Sequence, residues 1–223
     1  MLRAEHRPED SAPARRASFT LTLALATSLL ASAIPASATP ASAAPANAAH
    51  AAAYRGLSAE LLASIRDGFY RAEQSMDETL KAISFMEAKV DGPVAAWPGL
   101  ARAYRASLEG LIGKHDTRLT VKFNKVNEAI KAFDGIAEAF PSSLEIRFLR
   151  YAFFSQLPAI FGVGRFVKPD LEAIIAMLEA GSDPFVPAAQ QTDMADWLLA
   201  EASLSPAERR RVTAARAALA ARR

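Results

Sequence analysis

The sequence predicts an all-α protein of antiparallel helical hairpins, an α-solenoid fragment of about seven to eight helices. Three observations carry this expectation. From Ser58 onward, apolar residues recur three, four or seven apart, the spacing of one helix face. No stretch alternates apolar and polar residues in the two-residue period of a strand. Gly, Pro and capping residues interrupt the chain at short intervals, and short links make successive helices antiparallel neighbours.

The first fifty residues stand apart. Arg3, Arg7, Arg15 and Arg16 precede an uncharged run from Ser18 to Ile34, and small-residue sites follow at Ala36-Ser37-Ala38, Ala41-Ser42-Ala43 and Ala46-Asn47-Ala48. A basic start, a short apolar run and a small-residue exit make a secretory signal peptide, with cleavage expected between Ala38 and Ala49. The sequence around Arg15 and Arg16 resembles a twin-arginine signal with its phenylalanine one place late. An uncleaved anchor is the alternative, but the run is short and ends at Pro35. The Ala/Pro/Ser-rich stretch that follows reads as a disordered linker. The protein is therefore expected to be exported, periplasmic or secreted, with no stable membrane span after cleavage.

Composition narrows the function classes. The chain has no cysteine, which excludes disulfides, thiol nucleophiles and thiolate metal sites. Its formal charge is +2, and beyond residue 48 the 22 basic and 21 acidic residues nearly cancel, so no global field points to nucleic acid. Residues 49–223 make one ordinary domain.

Along that domain, Leu61, Ile65, Phe69, Ala72, Met76, Leu80, Ile83 and Val90 share one face, as one long helix or as two parted at the capping box of Ser75 and Glu78. After the Gly/Pro-rich 91–99, Leu100, Tyr104, Leu108 and Leu111 define a helix ending near Gly113. A basic connector leads to a helix beginning near Phe123 and stopped by Pro141. Ser142 or Ser143 caps an aromatic-rich helix that stops before Pro158. Residues 157–170 read as a loop, and Asp170 opens a short helix closed by Gly181. Helices over 190–202 and from Ser205, with its Pro206 and Glu208, complete the chain as capping elements over 185–223.

The joint at Pro141 is the most specific local pattern. Ala129, Phe133, Ile136 and Pro141 stand at offsets zero, four, seven and twelve. This resembles the second half of a tetratricopeptide repeat, where a small residue admits the paired helix, an aromatic fills the space between them and a proline starts the next turn. Ile136 departs from the small residue expected there, and Arg147 and Arg150 stand where the first half of the motif wants large apolar residues. A weaker copy runs through Ala82, Met86, Lys89 and Pro93. The resemblance covers at best residues 75–181. Segments of the same region also look like a group of exported bacterial proteins of unknown function, a likeness that implies export and a helical fold.

Candidate site residues are few. Lys114, His115, Arg118, Lys122, Lys125, Arg147 and Arg150 form a basic set that either converges on an anion or makes a solvated face. Phe161 and Phe166 flank a glycine loop and either cover the hairpin or present an apolar edge. The arginine-rich last helix has a mostly alanine apolar face, better suited to capping than to lipid insertion. No nucleotide-binding, metal-binding or nucleophile motif occurs, so no cofactor, metal or catalytic residue is assigned. The reading is an exported helical-repeat scaffold holding a protein or peptide. The alternatives are a carboxylate-based envelope hydrolase, needing two carboxylates in one cleft within about 10 Å, and a small-anion or lipid-binding module.

Overall fold

A computed structural model describes residues 50–181 and 183–222 of the protein; the expected signal peptide and linker over 1–48 lie outside the described residues. The described chain is all-α. After a helical turn over 50–53 come α1 (Ala59–Ala72), α2 (Met76–Lys89), α3 (Gly99–His115) and α4 (Leu119–Ala139). Then follow α5 (Leu144–Phe154), α6 (Gly164–Ala180), α7 (Ala188–Glu201) and α8 (Pro206–Ala220). Short 3-10 turns at Val94–Ala96 and Ala159–Phe161 lead into α3 and α6. There is no strand among the described residues, and no helix there is long and apolar enough to cross a membrane.

The helix starts follow local chemistry. Ser58, Ser75 and Ser143 each accept a bond from the N–H three residues on, satisfying a donor that the first turn would leave orphaned. Ser205 does the same for Glu208, whose carboxylate returns to the Ser205 N–H at 2.7 Å, a complete capping box. Gly181 closes α6 at φ 55°, a left-handed geometry that a side chain would strain. The 58–90 run is two helices, divided at Ser75.

Three boundaries differ from the sequence expectation. Helix α3 runs on to His115 and α4 begins at Leu119, so the basic connector shrinks to residues 116–118. The predicted loop over 157–170 is helical from Gly164, and α6 passes through Pro169 in its second turn. Only one internal bond is lost there, and packing of Leu171, Ile174, Ile175 and Leu178 offsets it.

Consecutive helices pack in pairs: α1 on α2, α3 on α4, α5 on α6 and α7 on α8, with α3 also against α2 and α5 and α8 against α6. Helix α5 serves two cores, which explains why it is apolar nearly all round. Ile146, Phe153 and Phe154 join Ile65, Met86, Leu100 and Phe133. Leu144 and Tyr151 join Ile174, Leu198, Val212 and Leu219. At the joint, Ala129, Phe133 and Ile136 are buried, and the Phe133 ring lies 6.1 and 5.9 Å from those of Phe153 and Phe154. Phe140 caps α4 and Pro141 lies in the turn. In the upstream copy Ala82 and Met86 are buried and Lys89 is exposed.

Candidate functional site

The basic residues singled out by the sequence do not converge. Lys125 bridges Glu109 and Glu128 at 2.9 and 2.8 Å. Arg118 folds back onto Asp116 at 2.8 Å and lowers that carboxyl to about 2. Lys122 donates to the Lys114 carbonyl oxygen, and a His115 ring nitrogen bonds the Ala72 carbonyl oxygen at 3.0 Å, tying the end of α3 to the end of α1. These contacts are local, within and between α1, α3, α4 and the α3–α4 connector.

Arg147 and Arg150 are neither a solvated face nor a ligand groove. Arg150 is 6 % exposed and grips Asp170, which is fully buried, through two bonds of 2.7 Å; Arg147 adds a third. The cause is the early start of α6, which carries Asp170 inside the helix opposite α5 rather than at its cap. The Arg150 guanidinium also lies 5.0 Å over the Phe166 ring, which packs on Phe154. Phe161 leans on Phe123, and Ile160 beside it is exposed. The C-terminal arginines are likewise engaged: Arg211 with Glu172 and Glu179, Arg216 with Asp196.

Two other places enclose free space. The first is an open pocket of about 370 Å³ between the start of α1, the end of α2, the N-terminus of α3 and Phe140. Arg55, Lys89 and Arg102 line it with one carboxylate, Asp91. None of the three cations forms an ion pair among the described residues, and the buried Arg102 Nε has no hydrogen-bond partner there. Helix α3 opens into the pocket at Gly99 after Pro98, with no side-chain cap, so its first N–H groups and positive dipole end face the same space. Gly99 is required by packing: a Cβ would overlap the Phe140 ring. Trp97 forms an apolar wall, its indole N–H held by the Gly92 carbonyl at 2.9 Å.

The second is a narrow aromatic cleft between α1, α3, α5 and α7, with free space of about 40 Å³. Its floor is Glu145, fully buried yet satisfied. Arg66 of α1 binds both carboxylate oxygens at 2.8 and 2.6 Å, and Tyr104 of α3 and Gln190 of α7 donate to Oε1. Its wall carries Glu73, which accepts no hydrogen bond and forms no ion pair among the described residues. Burial pushes the Glu73 carboxyl up to about 7 against the pull of Lys114.

Two glutamates, Glu73 and Glu145, line this cleft, and carboxylate hydrolysis would need such a pair. Glu145, however, has its acceptor positions occupied by protein donors, and the space amounts to roughly three waters, short of a sugar ring. The arrangement favours holding a small group over cleaving a large one. No group of three potential metal ligands forms among the described residues.

Sequence reasoning missed both sites because their residues are scattered. The one legible hint was the Gly/Pro-rich break before α3, which delivers Trp97 and Gly99 to the pocket. No known protein family, characterised protein or solved structure matches the chain.

Proposed function

We propose that the protein is an exported helical scaffold that holds a protein or peptide partner through an anionic group, a carboxylate or phosphate, seated in the pocket at the N-terminus of α3. The observation that carries this is three cations and a single carboxylate, Asp91, around one open space, with none of the three in an ion pair among the described residues. An exposed arginine or lysine costs little when unpaired, but a concave cluster next to an uncapped helix end favours an anion. The tetratricopeptide-like joint supports the scaffold reading, since Phe140 at its C-cap forms one wall of the pocket. The small-anion alternative moves here from the basic connector, and a free anion is the limiting case of the same site.

The test uses Trp97 emission in the mature chain. Phosphate and a short peptide ending in a free carboxylate should each give a saturable change at low salt that fades as ionic strength rises. Lys89→Glu with Arg102→Glu should abolish it. A peptide capped as its amide separates a carboxylate ligand from a phosphate. An unresponsive Trp97 retires the pocket as the binding site.

A further inference from the structure

We infer that the aromatic cleft is a second binding site, for an organic ammonium ion, with Glu73 as its counter-charge. The lining is rich in aromatic rings: Phe69, Tyr70, Tyr104, Phe148 and Trp197 line the cleft. Phe69 and Tyr104 meet edge to face at 5.4 Å, and Phe148 and Trp197 do so at 5.4 Å. In an edge-to-face pair the second face of the receiving ring is left for another partner, and an ammonium group is attracted to such a ring face. Tyr70, 42 % exposed, stands at the mouth and gives access.

The choice of ligand follows from what the cleft lacks. A hydrated metal ion needs several oxygens to replace its water, and only Glu73 has unused carboxylate oxygens. An anion would meet two carboxylates and ring faces. A methylated ammonium needs one counter-charge and apolar walls, and the free space of about 40 Å³ suits a head group of that size. The charges that face Glu73 are known. Lys114 of α3 draws it toward ionisation. Tyr70 of α1 lies within the fields of Glu73, Glu145, Asp193 and Arg66. Arg66 is committed to Glu145 and to the Phe185 carbonyl.

Because burial holds the Glu73 carboxyl near 7, the counter-charge is present at pH 8 and lost by pH 5.5, so binding should weaken as pH falls. Calorimetric titration of the mature chain with tetramethylammonium chloride, against sodium chloride at equal ionic strength, tests this. Saturable binding at pH 8 is expected, weaker by about tenfold at pH 5.5 and in Glu73→Gln. Glu73→Gln removes a poorly solvated charge and should fold, which circular dichroism checks. Arg102→Glu should leave this binding unchanged while removing the anion response, so the two sites fail independently. Absence of saturable heat beyond sodium chloride overturns the inference, as does a Glu73→Gln variant that binds like the parent.

Discussion

The two clefts of this protein solve the problem of placing charge in opposite ways. In the aromatic cleft the deepest charge, Glu145, is completely enclosed and completely partnered, by side chains from three other helices. In the pocket at the start of α3 the cations stand around an opening and form no ion pair among the described residues. A buried charge without partners would cost several kcal/mol, so the fold must supply them. A charge at an open rim keeps its water and can wait for a ligand. Glu73 lies between the two regimes: buried enough to weaken it as an acid, yet without an ion pair or hydrogen bond to its carboxylate among the described residues. The contrast teaches that the charges holding this fold together and those available to a ligand are different residues, separable by mutation.

The largest expected effect is at the enclosed end. Glu145→Ala strips the acceptor from Arg66, Tyr104 and Gln190 and should cost about 3–5 kcal/mol in urea denaturation. A loss under about 1 kcal/mol would erase the distinction between the two clefts. Glu73→Gln should act in the other direction. The folded-state value of about 7 lies above the usual 4.5, so the folded protein keeps a proton that the unfolded chain releases. Stability therefore falls as pH rises through that window. The variant should gain about 1–3 kcal/mol over the parent at pH 8 and nothing at pH 4, measured by denaturation across pH.

Gly99→Ala probes the wall shared by pocket and joint. Its Cβ would collide with the Phe140 ring, and a loss of about 1–2 kcal/mol is expected in the same assay. A neutral result would mean that Phe140 moves freely and the pocket wall is soft. Lys89→Ala should be the smallest effect. Its denaturation midpoint should match the parent's while phosphate titration of Trp97 weakens, because the lysine serves the pocket and not the fold. A shifted midpoint would show that the rim charges are structural after all.

Much of the fold was legible because its signals are local. Ser75 and Ser205 cap helices through bonds three residues long, Gly181 closes one through its own backbone, and Phe133 sits on a periodic apolar face. Charged residues were misjudged wherever the deciding partner was distant. Arg150 looks solvent-bound until Asp170 is placed opposite it, and Asp170 looks like a cap until α6 is seen to begin at Gly164. The glycines of 157–170 were the misleading signal, since that stretch reads as a loop although the helix begins at Gly164 and continues through Pro169. Both clefts escaped detection for the same reason. Their lining comes from four or more elements, and no spacing along the chain links Glu73 to Trp197 or Arg55 to Arg102.

The reach of Glu145 bears on how the chain comes apart. Its partners lie 79, 41 and 45 residues away, on helices before and after it. In a simple stack each unit touches only its neighbours, and such arrays can melt from one end. Here a single carboxylate pins the first, third, fifth and seventh helices to one point. Unravelling at either terminus must release that point before it can spread inward. The described domain is thus expected to melt as one cooperative unit, and a cut in the turn at 141–143 to leave two fragments that each carry part of an incomplete charge cluster.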